Sequence, residues 1–185
     1  MISTILLFGQ SPNNKNKEIG INYFGELGFR PGIEVDYGLN FWKKESEGKR
    51  KIITQQLYFR PSLAYYHYPH YSNNVLLSTK LNYQIKFTNK EDNKYLFVEP
   101  FVRVGFLRYF LSGEVFESGN NGFTEVNLRG SNSIIFGGAF DVGGYVSKRF
   151  DWLVGFDYYA ESTEDKLILH RFVAKLGTRI KLNTK

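Results

Sequence analysis

The sequence predicts an all-β fold, an eight-stranded antiparallel up-and-down transmembrane β-barrel, and three observations lead there. The stretch Tyr95–Leu111, YLFVEPFVRVGFLRYFL, alternates with a period of two: Val98, Pro100, Val102, Val104 and Phe106 form one apolar set, and Phe97, Glu99, Phe101, Arg103, Gly105 and Leu107 the other. That is the period of a strand, not of a helix. Aromatic residues make up 17% of the chain, with 13 Tyr and 17 Phe beside 18 Gly, a composition suited to strands joined by many turns. No apolar run approaches the ~18 residues of a membrane helix, whereas a barrel strand crosses with ~9–11 alternating residues.

The 185 residues show no composition shift that divides them into two domains. Without cysteine, neither a disulfide framework nor a thiolate metal site can form. The formal charge is +6, but the basic residues are spread singly along the chain. Scattered cations point to solvated or internally paired groups and away from a nucleic-acid surface. No cofactor motif and no metal-spaced cluster stands out.

Residues 1–11, MISTILLFGQS, read as the latter part of a signal peptide, and residues 12–17 as a polar leader. Residues 18–185 are expected to form the barrel domain. A first segment near 18–25 sets Ile19, Ile21 and Tyr23 against Gly20 and Asn22, and Pro31-Gly32 turns the chain. The second, about 33–42, sets Ile33, Val35, Tyr37, Leu39 and Phe41 against Glu34, Asp36, Gly38 and Asn40. A charged connector over 43–51 follows. The third, about 53–68, opposes Leu57, Phe59, Pro61, Leu63 and Tyr65 to Gln56, Tyr58, Arg60, Ser62 and Ala64. A loop over 69–74 leads to the fourth, about 76–88, with Leu77, Leu81, Tyr83 and Ile85 against Ser78, Lys80, Asn82, Gln84 and Lys86. A short charged turn, 89–94, precedes the fifth.

Residues 112–132 are the longest connection, and Gly119-Asn120-Asn121-Gly122 inside it marks a hairpin tip. The sixth segment, 133–147, sets Ile134, Phe136, Phe140 and Val142 against Gly137, Ala139, Asp141 and Gly143. After a turn at 148–151 the seventh sets Trp152, Val154, Phe156 and Tyr158 against Gly155 and Asp157. The eighth sets Phe172, Ala174, Leu176 and Ile180 against Arg171, Val173, Lys175, Gly177 and Arg179.

Which face points inward separates a soluble carrier from a membrane barrel, because the two assign one pattern in opposite senses. The apolar sets run almost uninterrupted, and aromatics recur towards strand ends at Phe41, Tyr65, Phe87, Trp152 and Tyr158. Connections after the second, fourth and sixth segments are short or charged, and those after the third, fifth and seventh more irregular. Both features favour lipid outside and polar groups inside. The lumen is then expected to hold an ion-pair network of Glu34, Asp36, Arg60, Lys80, Lys86, Glu99, Arg103, Asp141, Asp157, Arg171, Lys175 and Arg179, paired between neighbouring strands.

The stretches FGELGFRPGIEVDYGLNF, LYFRPSLAYYHYPHYSNN and YLFVEPFVRVGFLRYF resemble the small outer-membrane β-barrel proteins of Bacteroidota, broadly of the OmpA/OmpX/OmpW type. Many such barrels end on an aromatic residue used in assembly, whereas these last residues read RIKLNTK, with Leu182 as the final outward position. The resemblance implies an outer-membrane location, contact with membrane lipid and lipopolysaccharide, and a role alone or as a subunit of a larger outer-membrane complex.

His70-Tyr71-Ser72-Asn73 is similar to the His-x-Ser-Asn motif of lipid A deacylases, which makes His70 and Ser72 the candidate catalytic pair. No Glu stands on the following segment to orient the His; Gln84 lies there, and Glu114 or Glu117 would have to substitute. Three readings stay open: a non-enzymatic outer-membrane barrel with binding loops, a lipid A deacylase-like enzyme, and a soluble lipocalin-like carrier.

Overall fold

The computed structural model describes residues 16–26, 30–111, 116–119, 122–125, 130–162 and 168–182. The expected signal remnant and most of the polar leader lie outside the described residues. Eight strands close into one antiparallel ring: β1 (Lys17–Glu26), β2 (Gly32–Glu47), β3 (Lys51–Tyr68), β4 (Ser72–Asn89), β5 (Tyr95–Leu111), β8 (Asn132–Tyr145), β9 (Phe150–Ser162) and β10 (Ile168–Lys181). Between β5 and β8, β6 (Phe116–Gly119) and β7 (Gly122–Glu125) pair as a separate hairpin at the expected Gly-Asn-Asn-Gly tip. Every strand pairs with its sequence neighbour in the ring, and β1 closes on β10 from Glu18↔Lys181 to Glu26↔Val173. Closure leaves the central part of the ring without an edge for another chain to pair with.

The faces follow the alternation. Ile33, Val35, Leu63, Leu77, Val102, Val104, Phe136, Phe140, Val154 and Leu176 are exposed on the outside of the ring. The other set points inward and is buried. Tyr65, Phe87 and Trp152 are exposed aromatics near strand ends, whereas Phe41, also exposed, lies well inside its strand because β2 runs on to Glu47. Pro61 and Pro100 sit opposite Thr79 and Phe140 on the outward set.

Strand lengths differ from the sequence expectation in three places. The charged connector at 43–51 is mostly strand: β2 and β3 stay paired from Trp42↔Leu57 to Glu47↔Ile52, and only residues 48–50 turn. A register shift between Asn40 and Trp42 marks where this polar extension begins. The expected loop at 69–74 shrinks to a turn over 69–71, with His70 at a φ of 65°. The connection after β3 is therefore as short as the one after β2, against the expected alternation of short turns and irregular loops. Lys17, expected in the leader, opens β1 opposite Leu39.

Two rims result. One carries both ends of the described chain and the turns 48–50, 90–94 and 146–149. The opposite rim, called the mouth here, carries the turn 69–71 and the long connection with its β6–β7 hairpin.

Candidate functional site

Inward positions stack along the barrel axis, and the middle of the stack is ionic. Arg60 reaches Glu18 at 2.7 Å, Asp36 at 3.2 Å and Glu99 at 3.2 Å. Arg179 forks onto both Glu99 oxygens at 2.5 and 2.9 Å and touches Asp141 at 3.3 Å. Lys175 pairs with Asp141 at 2.7 Å, and Lys80 with Glu34 at 2.7 Å and Asp36 at 3.3 Å. Arg103 joins Glu34 and, at 2.7 Å, Asp157. Neutral groups add hydrogen bonds to this network: Asn82 and Gln84 donate to Glu99, Asn22 to Asp36, and Tyr58 to Glu18. These charges are buried, so each needs an opposite partner and further hydrogen bonds to offset lost hydration.

The partners are seldom on adjacent strands, contrary to the sequence expectation. Arg60, Lys80 and Arg103 stand in register beside one another on β3, β4 and β5, which places like charges side by side. Their carboxylates come mostly from β1, β2 and β9, across the interior. An eight-stranded lumen is narrow enough for long side chains to span it. Glycines make room for them: a Cβ at Gly38 would run into the Arg60 guanidinium, and one at Gly155 into the Asp141 carboxylate.

Two expected members lie elsewhere. Lys86 sits near the terminal rim with its ammonium 4.2 Å from the centre of the Tyr95 ring, beside a cluster in which Lys181 pairs with Asp151 at 2.8 Å. Arg171 belongs to the mouth. Between it and the central ion pairs lies an apolar storey of Phe24, Ala64, Tyr66, Leu76, Leu107, Ile135, Tyr159 and Val173, all buried. The storey caps the network on that side.

Above it, the mouth holds a second, smaller set of charges. Arg171 bridges Glu26 at 3.0 Å and Glu161 at 3.1 Å, and Arg30 pairs with Glu26 at 2.5 Å. The Tyr109 hydroxyl donates to Glu161. These groups line or underlie a cavity of about 290 Å³ whose walls include Tyr68, Tyr71, Ser72, Asn74, Leu111, Ser131 and Leu169. Arg30 lies 3.7 Å over the Tyr68 ring, and Tyr68 stacks on Tyr71 at 4.7 Å.

Ser72 is buried and lines this cavity, while His70 is exposed in the turn. Among the described residues no hydrogen bond joins the two. The side chains of Glu114 and Glu117 lie outside the described residues. The other histidines face outward: His67 Nδ1 meets Asn73 Oδ1 at 2.9 Å, and His170 Nδ1 meets the Tyr158 hydroxyl at 2.7 Å. Among the described residues no group of three His, Asp or Glu side chains is arranged to hold a metal ion.

Sequence reading singled out neither Glu18, buried beside Arg60, nor the mouth residues Glu26, Arg30, Tyr109 and Glu161. Glu18, Glu26 and Glu161 fall at strand ends, where the apolar alternation that identifies an inward position has run out. The inward parity of the strand, extended outward from its middle, would have found them.

No family model matches the chain, and no curated protein matches it. Solved structures with some likeness include the outer membrane enzyme PagL, 14% identical over 89% of this chain and 98% of that one, with a TM-score of 0.41. Neisserial surface protein A is 13% identical over 90% and 95%, with a TM-score of 0.47. The Yersinia pestis outer membrane protein Ail is 12% identical over 91% and 100%, with a TM-score of 0.32. The ring of eight strands stands on its own hydrogen-bond registers, and these likenesses add no site residue to it.

Proposed function

We propose that the chain is a non-enzymatic outer-membrane β-barrel with a closed lumen, whose mouth and connections serve as a binding or partner surface. One observation carries the reading. Large apolar side chains face outward around the ring while ionised side chains fill its interior. A soluble barrel needs the reverse, because exposing a continuous apolar belt to water is costly and burying unneeded charge more so. In a bilayer the belt meets hydrocarbon and the closed ring satisfies the backbone.

In this reading the belt contacts membrane lipid and lipopolysaccharide, the termini lie on the periplasmic side, and the mouth opens outside. The small barrels of Bacteroidota are the family we propose, and assembly into a larger outer-membrane complex is compatible with the outward connections.

Fractionation tests it. The chain should sediment with outer membrane and migrate differently on a gel before and after boiling. A folded monomer in buffer without detergent would overturn the reading in favour of a soluble carrier. The non-enzymatic part has its own test, mass spectrometry of lipid A from cells with and without the protein. Unchanged lipid A is expected; loss of an acyl chain that depends on Ser72 would make the protein a deacylase.

A further inference from the structure

The mouth cavity is incompletely satisfied, and in one direction only. Glu161 and Asn74 line it and are each 1% exposed, yet Glu161 Oε1 and Asn74 Oδ1 have no hydrogen-bond partner among the described residues. Both are acceptors. Buried acceptors beside an open cavity can be satisfied by a ligand that brings donors, once a small side-chain rotation turns them into the cavity.

The donor is not a free charge. Arg30 and Arg171 face Glu26 and Glu161 in closed ion pairs, so the charges of these described residues around the cavity balance. An added cation would meet two guanidiniums, and an added anion two carboxylates. The remaining wall is apolar and aromatic. Leu111 and Leu169 line it, and Tyr71, stacked on Tyr68, is 63% exposed at the entrance. A volume of about 290 Å³ sits near the lower end of ligand pockets, ~300 Å³, and suits one or two small rings.

A molecule with neutral hydroxyl donors along its edge and an apolar C–H face fits every one of these features. We propose that the mouth cavity binds a neutral saccharide, with sugar hydroxyls donating to Glu161 and Asn74 and a ring face lying on Tyr71. The proposal deepens the reading of the mouth as a binding surface and rests on it.

Saturation-transfer NMR on the folded barrel in detergent micelles tests it, with methyl β-D-glucoside, N-acetylglucosamine and maltose as probes. Transfer from the protein to sugar C–H protons is expected. Glu161→Gln removes a charged acceptor at nearly constant shape, and Tyr71→Ala removes the exposed ring from a turn; each should weaken binding about tenfold or more. Tyr71→Ala keeps the test decisive if Glu161→Gln fails to fold, and heat-modifiable migration reports folding for both.

A second arm places the barrel in nanodiscs with rough lipopolysaccharide. Transfer seen only there, and lost in Tyr71→Ala, assigns the sugar to neighbouring lipid; transfer from the free glycosides assigns a soluble ligand. Folded protein with no transfer in either arm overturns the proposal and leaves the two acceptors to water. Binding that survives both variants, or binding of choline or inorganic phosphate at the same cavity, also overturns it. None of these outcomes touches the membrane reading, which fails only if the chain folds without detergent.

Discussion

Arg103 and Asp157 meet at 2.7 Å although β5 and β9 are not neighbours in the ring. Asp157 has no other ion pair among the described residues. Arg103→Met should therefore destabilise the barrel by about 3–5 kcal/mol, because it strands a buried carboxylate. Replacing both, as Arg103→Met with Asp157→Leu, should cost clearly less than the arginine change alone, since no charge is then left without a partner. Urea unfolding in lipid vesicles measures the two. Additive losses would mean that the pair is hydrated and does not bind as drawn. Glu34, by contrast, keeps Lys80 at 2.7 Å when Arg103 is removed, so most of the predicted loss belongs to Asp157.

At the scale of the strand, the outer face sets the tolerance. Val102 lies mid-strand on β5 and is exposed on the apolar belt. Val102→Arg should cost about 2–4 kcal/mol in a membrane and reduce assembly, measured as the heat-modifiable fraction. Lys44→Ala, on the polar extension of β2, should leave that fraction unchanged. These two positions also mark what the sequence discloses. The alternation locates each barrel strand and its two faces, because a half-buried strand must keep one face apolar. Past the belt that constraint disappears: at 43–47 both faces are exposed and polar, so a paired strand reads like a connector. The turn at 69–71 was obscured similarly, since Ser72 and Asn74 are inward polar residues that look like loop. Of the mouth residues, the sequence singles out only Arg171, His70 and Ser72. Glu26 and Arg30 are neighbours in the chain, but Tyr109 and Glu161 come from distant parts of it and join them only through the register of the ring.

At the scale of the whole molecule, the central ion pairs and the apolar storey above them fill the interior along the axis. Reconstituted in a planar bilayer, the barrel should show no steady single-channel conductance, and stable openings would contradict the packed lumen. The cross-lumen pairing also has a consequence in time. Arg179 on β10 holds Glu99 on β5, and Arg103 on β5 holds Asp157 on β9, so these contacts form only once the sheet has curled enough to bring non-adjacent strands together across the lumen. A flatter sheet carries the same charges hydrated, and that water leaves as the barrel curls shut. Interactions made after the rate-limiting step leave the folding rate alone and slow escape from the native state. Stopped-flow mixing should accordingly find that Arg103→Met speeds unfolding while insertion proceeds at the native pace. The ionic interior then acts as a latch: it gives the barrel its lifetime in the membrane and contributes little to how quickly it gets there.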